Sequence, residues 1–127
     1  MARILVVEDD PGQLEVRKLI LEQAGHEVVA AGDASNAIEN LPGCQLVLMD
    51  FRIPTTEDGL RLIRAASGQA RIVVLSGAQP DVPLPVDEVL TKPCSSRKLL
   101  EVIAKLCLLL FCLPYAYFRQ AEQQQVL

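Results

Sequence analysis

Three four-residue runs, at 4–7, 46–49 and 72–75, contain only Ile, Leu, Val and Met. Short runs with no polar alternation suit strands covered on both faces, as in a parallel sheet with helices above and below it. Two weaker strand patterns join them, so the predicted strands are 3–7, 27–31, 45–49, 71–75 and 88–91. Helix-like stretches separate most of these, and the alternation predicts an α/β fold. A chain of 127 residues is long enough for one packed core and too short for two ordinary ones.

The first helix is predicted to start near Pro11, because proline suits a first turn, and to stop at Gly25. It carries Val16, Leu19 and Ile20. A second runs over about 34–41 behind Asp33 as cap. A third covers about 59–66, with Leu60 and Ile63 inward. The last begins after Ser95 or Ser96 and places Leu99, Val102, Ile103, Leu106 and Leu110 at helical spacing. The fourth connection contains Pro80, Pro83 and Pro85. Each proline removes a donor and restrains the residue before it, so a loop or single turn is expected there.

The ends of the predicted strands carry the reactive groups. Residues 4–7 lead into Glu8, Asp9 and Asp10; 46–49 into Asp50; 72–75 into Ser76 and Gly77; and 89–91 into Lys92 and Pro93. In open parallel sheets, ligands bind at the carboxyl ends of strands, where successive connections leave for opposite faces. Glu8, Asp9 and Asp50 would then form a carboxylate cluster. Like charges about 4 Å apart repel by roughly 4 kcal/mol at an effective dielectric near 20, so a cation is required. Oxygen ligands suit Mg2+ or Mn2+, and Lys92 supplies a fixed positive charge.

Composition narrows the alternatives. A net charge of -4 with no dense Lys/Arg cluster argues against direct nucleic-acid binding. The cysteines at 44, 94, 107 and 112 lack paired metal-ligand spacing and are expected to be structural or incidental, and with no signal-peptide pattern a cytoplasmic setting is expected. The lone His26 lies in a turn and is expected to face solvent rather than donate a phosphoryl group.

In combination, ILVVEDD, LVLMDFRIP, DGL, LSG and TKP resemble the receiver domain of two-component response regulators, over about the first 105 residues. The resemblance implies a flavodoxin-like (βα)5 doubly wound sheet of order 2-1-3-4-5, here with the fourth helix short or absent and an extended apolar C-terminal helix. It implies that Asp50 accepts a phosphoryl group from a histidine kinase or histidine phosphotransfer protein and signals through a downstream protein partner. Asp9 would ligate Mg2+ directly, Glu8 mainly through water, and Asp50 and the backbone carbonyl of Arg52 would complete the protein ligands. Ser76, Gly77 and Lys92 would hold the phosphoryl oxygens, with Ser76 and Lys92 assisting the transfer, and a cis Lys92 to Pro93 bond would aim the lysine. No turnover of a separate substrate is implied, only the domain's own phosphorylation and dephosphorylation.

Departures from the family pattern concern output. Val89 stands where an aromatic switch residue is usual, the fourth connection is short, and PTTEDGL holds one extra residue, expected to bulge outward. The first two, together with the SG pair at 76–77 and KPCSSRKLL, resemble the subgroup of receivers attached to hybrid kinases or standing alone beside them. Residues 1–105 are read as the receiver and 106–127 as a helix extension and tail. Its uncharged stretch LCLLLFCLPYAYF is too short for a membrane span, so 108–118 is expected to dock on this domain or on a second copy, self-association being favoured.

Rival readings are an unphosphorylated interaction module on the same fold and an aspartyl-phosphate hydrolase. The hydrolase class places a second Asp two residues after its nucleophile, where this chain has Arg52. Flavin binding is disfavoured because Glu8 to Asp10 would repel its phosphate.

Overall fold

Five strands and four helices alternate along the chain: β1 (Arg3–Val7), α1 (Pro11–Gln23), β2 (Glu27–Ala31), α2 (Ala34–Asn40), β3 (Leu46–Asp50), α3 (Thr56–Ala66), β4 (Arg71–Ser76), β5 (Glu88–Thr91) and α4 (Ser96–Cys112). These elements come from a computed structural model, which describes residues 2–77 and 82–112, with side chains as far as Leu108. All strand pairings are parallel, as the alternation of elements predicts, in the order β2-β1-β3-β4-β5 that the resemblance implies.

Strand alternation builds two half-cores. Leu5, Val7, Val47, Met49, Ile72 and Val74 face α2 and α3, where they meet Ala34, Ala37, Leu62, Ile63 and Ala66. Ile4, Val6, Leu46, Leu48, Val73 and Leu75 face the other way, toward Leu21 of α1 and Leu99, Val102, Ile103 and Leu106 of α4. The aliphatic runs lack polar alternation because both of their faces are covered.

Helix starts follow local capping. Asp10 accepts hydrogen bonds from the N–H groups of Gly12 and Gln13, and Pro11 occupies the first turn of α1. Asp33 caps α2 through the N–H of Asn36 at 2.7 Å. α3 starts three residues before the position expected from its apolar pattern. The Thr55 hydroxyl accepts from the N–H of Asp58 and donates to its carboxylate, a reciprocal cap that precedes any apolar residue. Gly25, at φ +94°, turns the chain after α1 in a conformation glycine adopts without strain.

Two assignments within helices change. Val16 and Leu19 are 57% and 52% exposed, while Leu21 faces the core. In α3 the fully buried pair is Leu62 and Ile63, and Leu60 is only partly covered.

No helix occurs among the described residues of the β4 to β5 connection. Val82, Leu84 and Val86 pack against the half-core in its place, and Asp87 pins the segment. Its carboxylate accepts from Arg71 Nη1 at 2.9 Å and from the N–H of Ile72 at 2.7 Å. Leading into α3, Pro54, Thr55 and Thr56 are exposed while Ile53 is buried. Both the Ile53 to Pro54 and Lys92 to Pro93 bonds are cis, the second as the resemblance implies.

In α4 the core positions Leu99, Val102, Ile103 and Leu106 are buried as predicted, and Leu108 is 67% exposed. Leu110 and the remainder of 109–118 lie outside the described side chains. Among the described residues no helix is long and apolar enough to cross a membrane.

Candidate phosphoacceptor site

Register brings the reactive groups to one edge of the sheet. Val7 pairs with Met49, Asp50 with Leu75, and Ser76 with Thr91, so Glu8, Asp50, Ser76 and Lys92 end or follow adjacent strands at a common level. Because β1 connects outward to β2 and is flanked by β3 on its other side, the edge between β1 and β3 is the switch point of the sheet. A cleft of about 490 Å³ opens there, lined by Glu8, Asp9, Asp10, Gln13, Asp50, Phe51, Arg52, Leu75, Ser76, Gly77 and Lys92.

Oxygen atoms of Glu8, Asp9 and Asp50 lie within 4.8 Å of one another. Glu8 and Asp50 are buried, whereas Asp9 opens to solvent. Such a set of hard oxygen donors, two desolvated and one accessible, fits a cation that retains several waters. The backbone is held in place by the carbonyl of Leu75, which accepts from Phe51 N–H at 3.1 Å, and by the carbonyl of Ser76, which accepts from Lys92 N–H at 2.7 Å.

Asp50 is already paired with cations. Its Oδ1 lies 2.9 Å from Lys92 Nζ and 3.3 Å from Arg17 Nη1. Oδ1 is thus within ion-pair range of both cations, which offset the charge of a carboxylate buried beside Glu8. Lys92 is partly exposed, so this ion pair borders solvent.

Gly59 packs against the backbone of Phe51, one of the residues lining the cleft. The first turn of α3 passes so close to β3 that a Cβ at Gly59 would lie 1.9 Å from the carbonyl oxygen of Phe51. Only glycine permits that approach, and it fixes the backbone leading into Arg52.

Residues 4–104 match the family model for the response regulator receiver domain. The chain belongs to this family. The receiver is 32% identical over 114 residues to the transcriptional regulatory protein AruR of Pseudomonas aeruginosa, a match covering 78% of this chain and 46% of that protein. It is 33% identical over 97 residues to the sensor protein TorS of Escherichia coli, covering 74% of this chain and 10% of that protein. The chain thus spans less than half the length of these curated relatives. Among solved structures, the receiver resembles a CheY-like receiver domain protein from Methanospirillum hungatei (TM-score 0.74, 28% identity, 84% of this chain and 94% of that one). It also resembles the response regulator TrrA of Thermotoga maritima, solved in complex with Mg(2+)-BeF (TM-score 0.71, 28% identity, 84% of this chain and 99% of that one).

Every site residue named from the sequence lines or borders the cleft. Glu8, Asp9, Asp50, Arg52, Ser76, Gly77 and Lys92 line it, and Pro93 follows the lysine. Asp10 caps α1 rather than joining the carboxylate cluster. Sequence reasoning missed Arg17. Its Nη1 donates to Glu8 Oε2 at 2.5 Å and its Nη2 to Gln13 Oε1 at 3.1 Å. Nothing in the local sequence marks it, since only the fold turns this side of α1 toward Glu8 and Asp50.

Groups outside the cleft have plain structural settings. His26 is half-buried rather than fully solvent-facing: its Nδ1 accepts from the N–H of Ala2 at 3.1 Å. Desolvation, followed by the charge of the amino terminus, lowers its pKa. Cys44, Cys94 and Cys107 carry free thiols. Burial pushes the thiols of Cys44 and Cys107 up, which keeps them protonated and poorly nucleophilic. Val89, in the place of the family's aromatic switch, packs partly buried against the half-core on the α2 and α3 side.

Proposed function

We propose that this receiver accepts a phosphoryl group on Asp50 from a histidine kinase or a histidine phosphotransfer protein, and that phosphorylation changes its contacts with a protein partner. The observation carrying this reading is the convergence of Asp50, three-carboxylate cluster, Lys92, Ser76 and Gly77 on one cleft at the sheet's switch point.

In the proposed reaction a carboxylate oxygen of Asp50 attacks phosphorus while the phosphorus to nitrogen bond of the donor phosphohistidine breaks. The imidazole leaves with the bond's electron pair, and Asp50 becomes an acyl phosphate. Asp9, Asp50 and the Arg52 carbonyl would hold Mg2+, or Mn2+ in its place, with Glu8 acting through water. When bound, the ion supplies charge neutralisation for the phosphoryl oxygens. Lys92 exchanges its pairing with the Asp50 carboxylate for one with a phosphoryl oxygen. Ser76 donates its hydroxyl to another, and Gly77, which has no side chain, leaves room for the group and offers its N–H. Return to the starting state is hydrolysis of the acyl phosphate by water.

Relatives that include sensor proteins, such as TorS, support a kinase-linked role in the cytoplasm. The exposed Val16, which lines a neighbouring hollow with Arg17 and Lys92, gives α1 an apolar surface on which a phosphodonor can rest. We assign 1–105 to the receiver and read 106–127 as an extension whose first residues, Leu106 and Cys107, still pack on the core, with self-association or docking carried by the part from Leu108 onward, a reading favoured by the exposed Leu108 and the uncharged sequence after it.

Incubation with Mg2+ and a small-molecule phosphodonor tests the proposal. A base-labile mass gain of one phosphoryl group, dependent on the metal and lost in Asp50→Asn, supports it. No gain with an active donor would leave the unphosphorylated interaction module, and steady turnover of phosphate monoesters would instead favour a hydrolase.

A further inference from the structure

Both oxygens of Glu8 are engaged. Oε1 accepts the N–H of Asp10 at 3.0 Å, and Oε2 accepts Arg17 Nη1 at 2.5 Å. The same Nη1 lies 3.3 Å from Asp50 Oδ1. One guanidinium nitrogen therefore sits between two of the three carboxylates that lie within 4.8 Å of each other. The Arg17 side chain is only 12% exposed, so its charge is directed inward rather than left in solvent. Gln13, one turn earlier on α1, holds the other end of the guanidinium through Nη2.

Charge balance gives this arrangement a consequence. Glu8, Asp9 and Asp50 bring three negative charges to the site, and Lys92 and Arg17 bring two positive ones. A divalent cation that draws on Glu8 and Asp50 must compete for oxygens Arg17 already engages, and it would place a second positive centre beside the guanidinium. Like charges at such separations repel strongly in a partly desolvated site. Arginine's long stem and its Gln13 tether at the exposed rim of α1 provide a route outward.

We propose that Arg17 is a resident counter-ion of the phosphorylation site: it holds Glu8 and Asp50 together when no divalent cation is bound, gives way when one binds, and thereby sets the site's affinity for Mg2+. Arg17 is a positioning residue in this scheme and makes no bond in the transfer. The inference rests on the reading of Glu8, Asp9 and Asp50 as a divalent-cation site.

Isothermal titration of the full chain with Mg2+ tests it, comparing the parent with Arg17→Met, Gln13→Ala and the exposed control Arg97→Met. Removal of the competitor in Arg17→Met tightens Mg2+ binding by about tenfold, the scale of one charge-assisted hydrogen bond. Without Mg2+ this variant melts below the parent, and Mg2+ raises its melting temperature by more. Gln13→Ala keeps the charge but frees one end of the guanidinium, and tightens binding by a smaller factor. Arg97→Met makes the same change in net charge and leaves affinity unchanged. Equal or weaker Mg2+ binding in Arg17→Met, with the parent binding normally, overturns the inference alone, and if that variant does not fold, equal or weaker binding in Gln13→Ala does so. Failure of parent and variants alike to bind Mg2+ overturns both the inference and the metal reading beneath it.

Discussion

The buried pair of Arg71 and Asp87 offers a quantitative test of how the shortened β4 to β5 connection is held. Arg71 is 2% exposed, and Asp87 accepts from it at 2.9 Å and from the N–H of Ile72 at 2.7 Å. Asp87→Ala withdraws a carboxylate that serves two buried donors. A lost charge-assisted hydrogen bond costs about 1.5–3 kcal/mol, and breaking a buried ion pair from one side costs about 3–5 kcal/mol in total. Against a typical domain stability of about 5–15 kcal/mol, that is a large fraction, equivalent to a fall in melting temperature of roughly 10–20 °C. Asp87→Asn retains an acceptor for Ile72 and should lose less. The double replacement Arg71→Met with Asp87→Leu removes both charges and should recover much of the loss, because well-packed apolar groups often substitute for a buried pair without penalty. Urea unfolding followed by far-ultraviolet circular dichroism gives all three values. A loss below about 1 kcal/mol in Asp87→Ala would show that the pair behaves as a surface ion pair and that something else anchors the connection.

Two further outcomes follow from the same structure. Gly59→Ala, whose Cβ would meet the Phe51 carbonyl oxygen at 1.9 Å, should cost roughly 2–4 kcal/mol by thermal melt and slow phosphoryl uptake by shifting the backbone beside Asp50; an unchanged melt would refute the close approach. His26 has a lowered pKa, chiefly from desolvation, so the folded state binds its proton less readily than the unfolded state does. Its contribution to stability is complete above the unfolded value near 6.5 and is lost as pH falls through the lower folded value. Melting temperature measured across that window should therefore fall less steeply in His26→Gln than in the parent, and identical slopes would contradict this.

Legibility in the sequence followed the range of the interactions. Strands such as 4–7 and 72–75 were readable because burial on both faces imposes an unbroken apolar composition. The site residues were readable because a parallel sheet forces strand ends to one edge, so Glu8, Asp50, Ser76 and Lys92 could be grouped before any distance was known. Apolar spacing in α1 could not tell that Val16 and Leu19 point away from the core while Leu21 points toward it, since periodicity marks a face without naming its neighbour. The start of α3 was hidden because its cap, Thr55 with Asp58, comes before any apolar residue. Arg17 and Asp87 were missed for a shared reason: each finds its partner across the fold, Arg17 on two neighbouring strand ends and Asp87 on the preceding strand, and an isolated charged residue carries no local mark of such a partner.

Chemical trapping of the phosphorylated side chain tests the central claim most directly. After incubation with Mg2+ and a phosphodonor, borohydride reduces an aspartyl phosphate to homoserine, which peptide mass mapping can locate. The account predicts homoserine at position 50, absent without the donor and absent in Asp50→Asn. Reduction at any other carboxylate, or none at all under conditions that phosphorylate a known receiver, would contradict it.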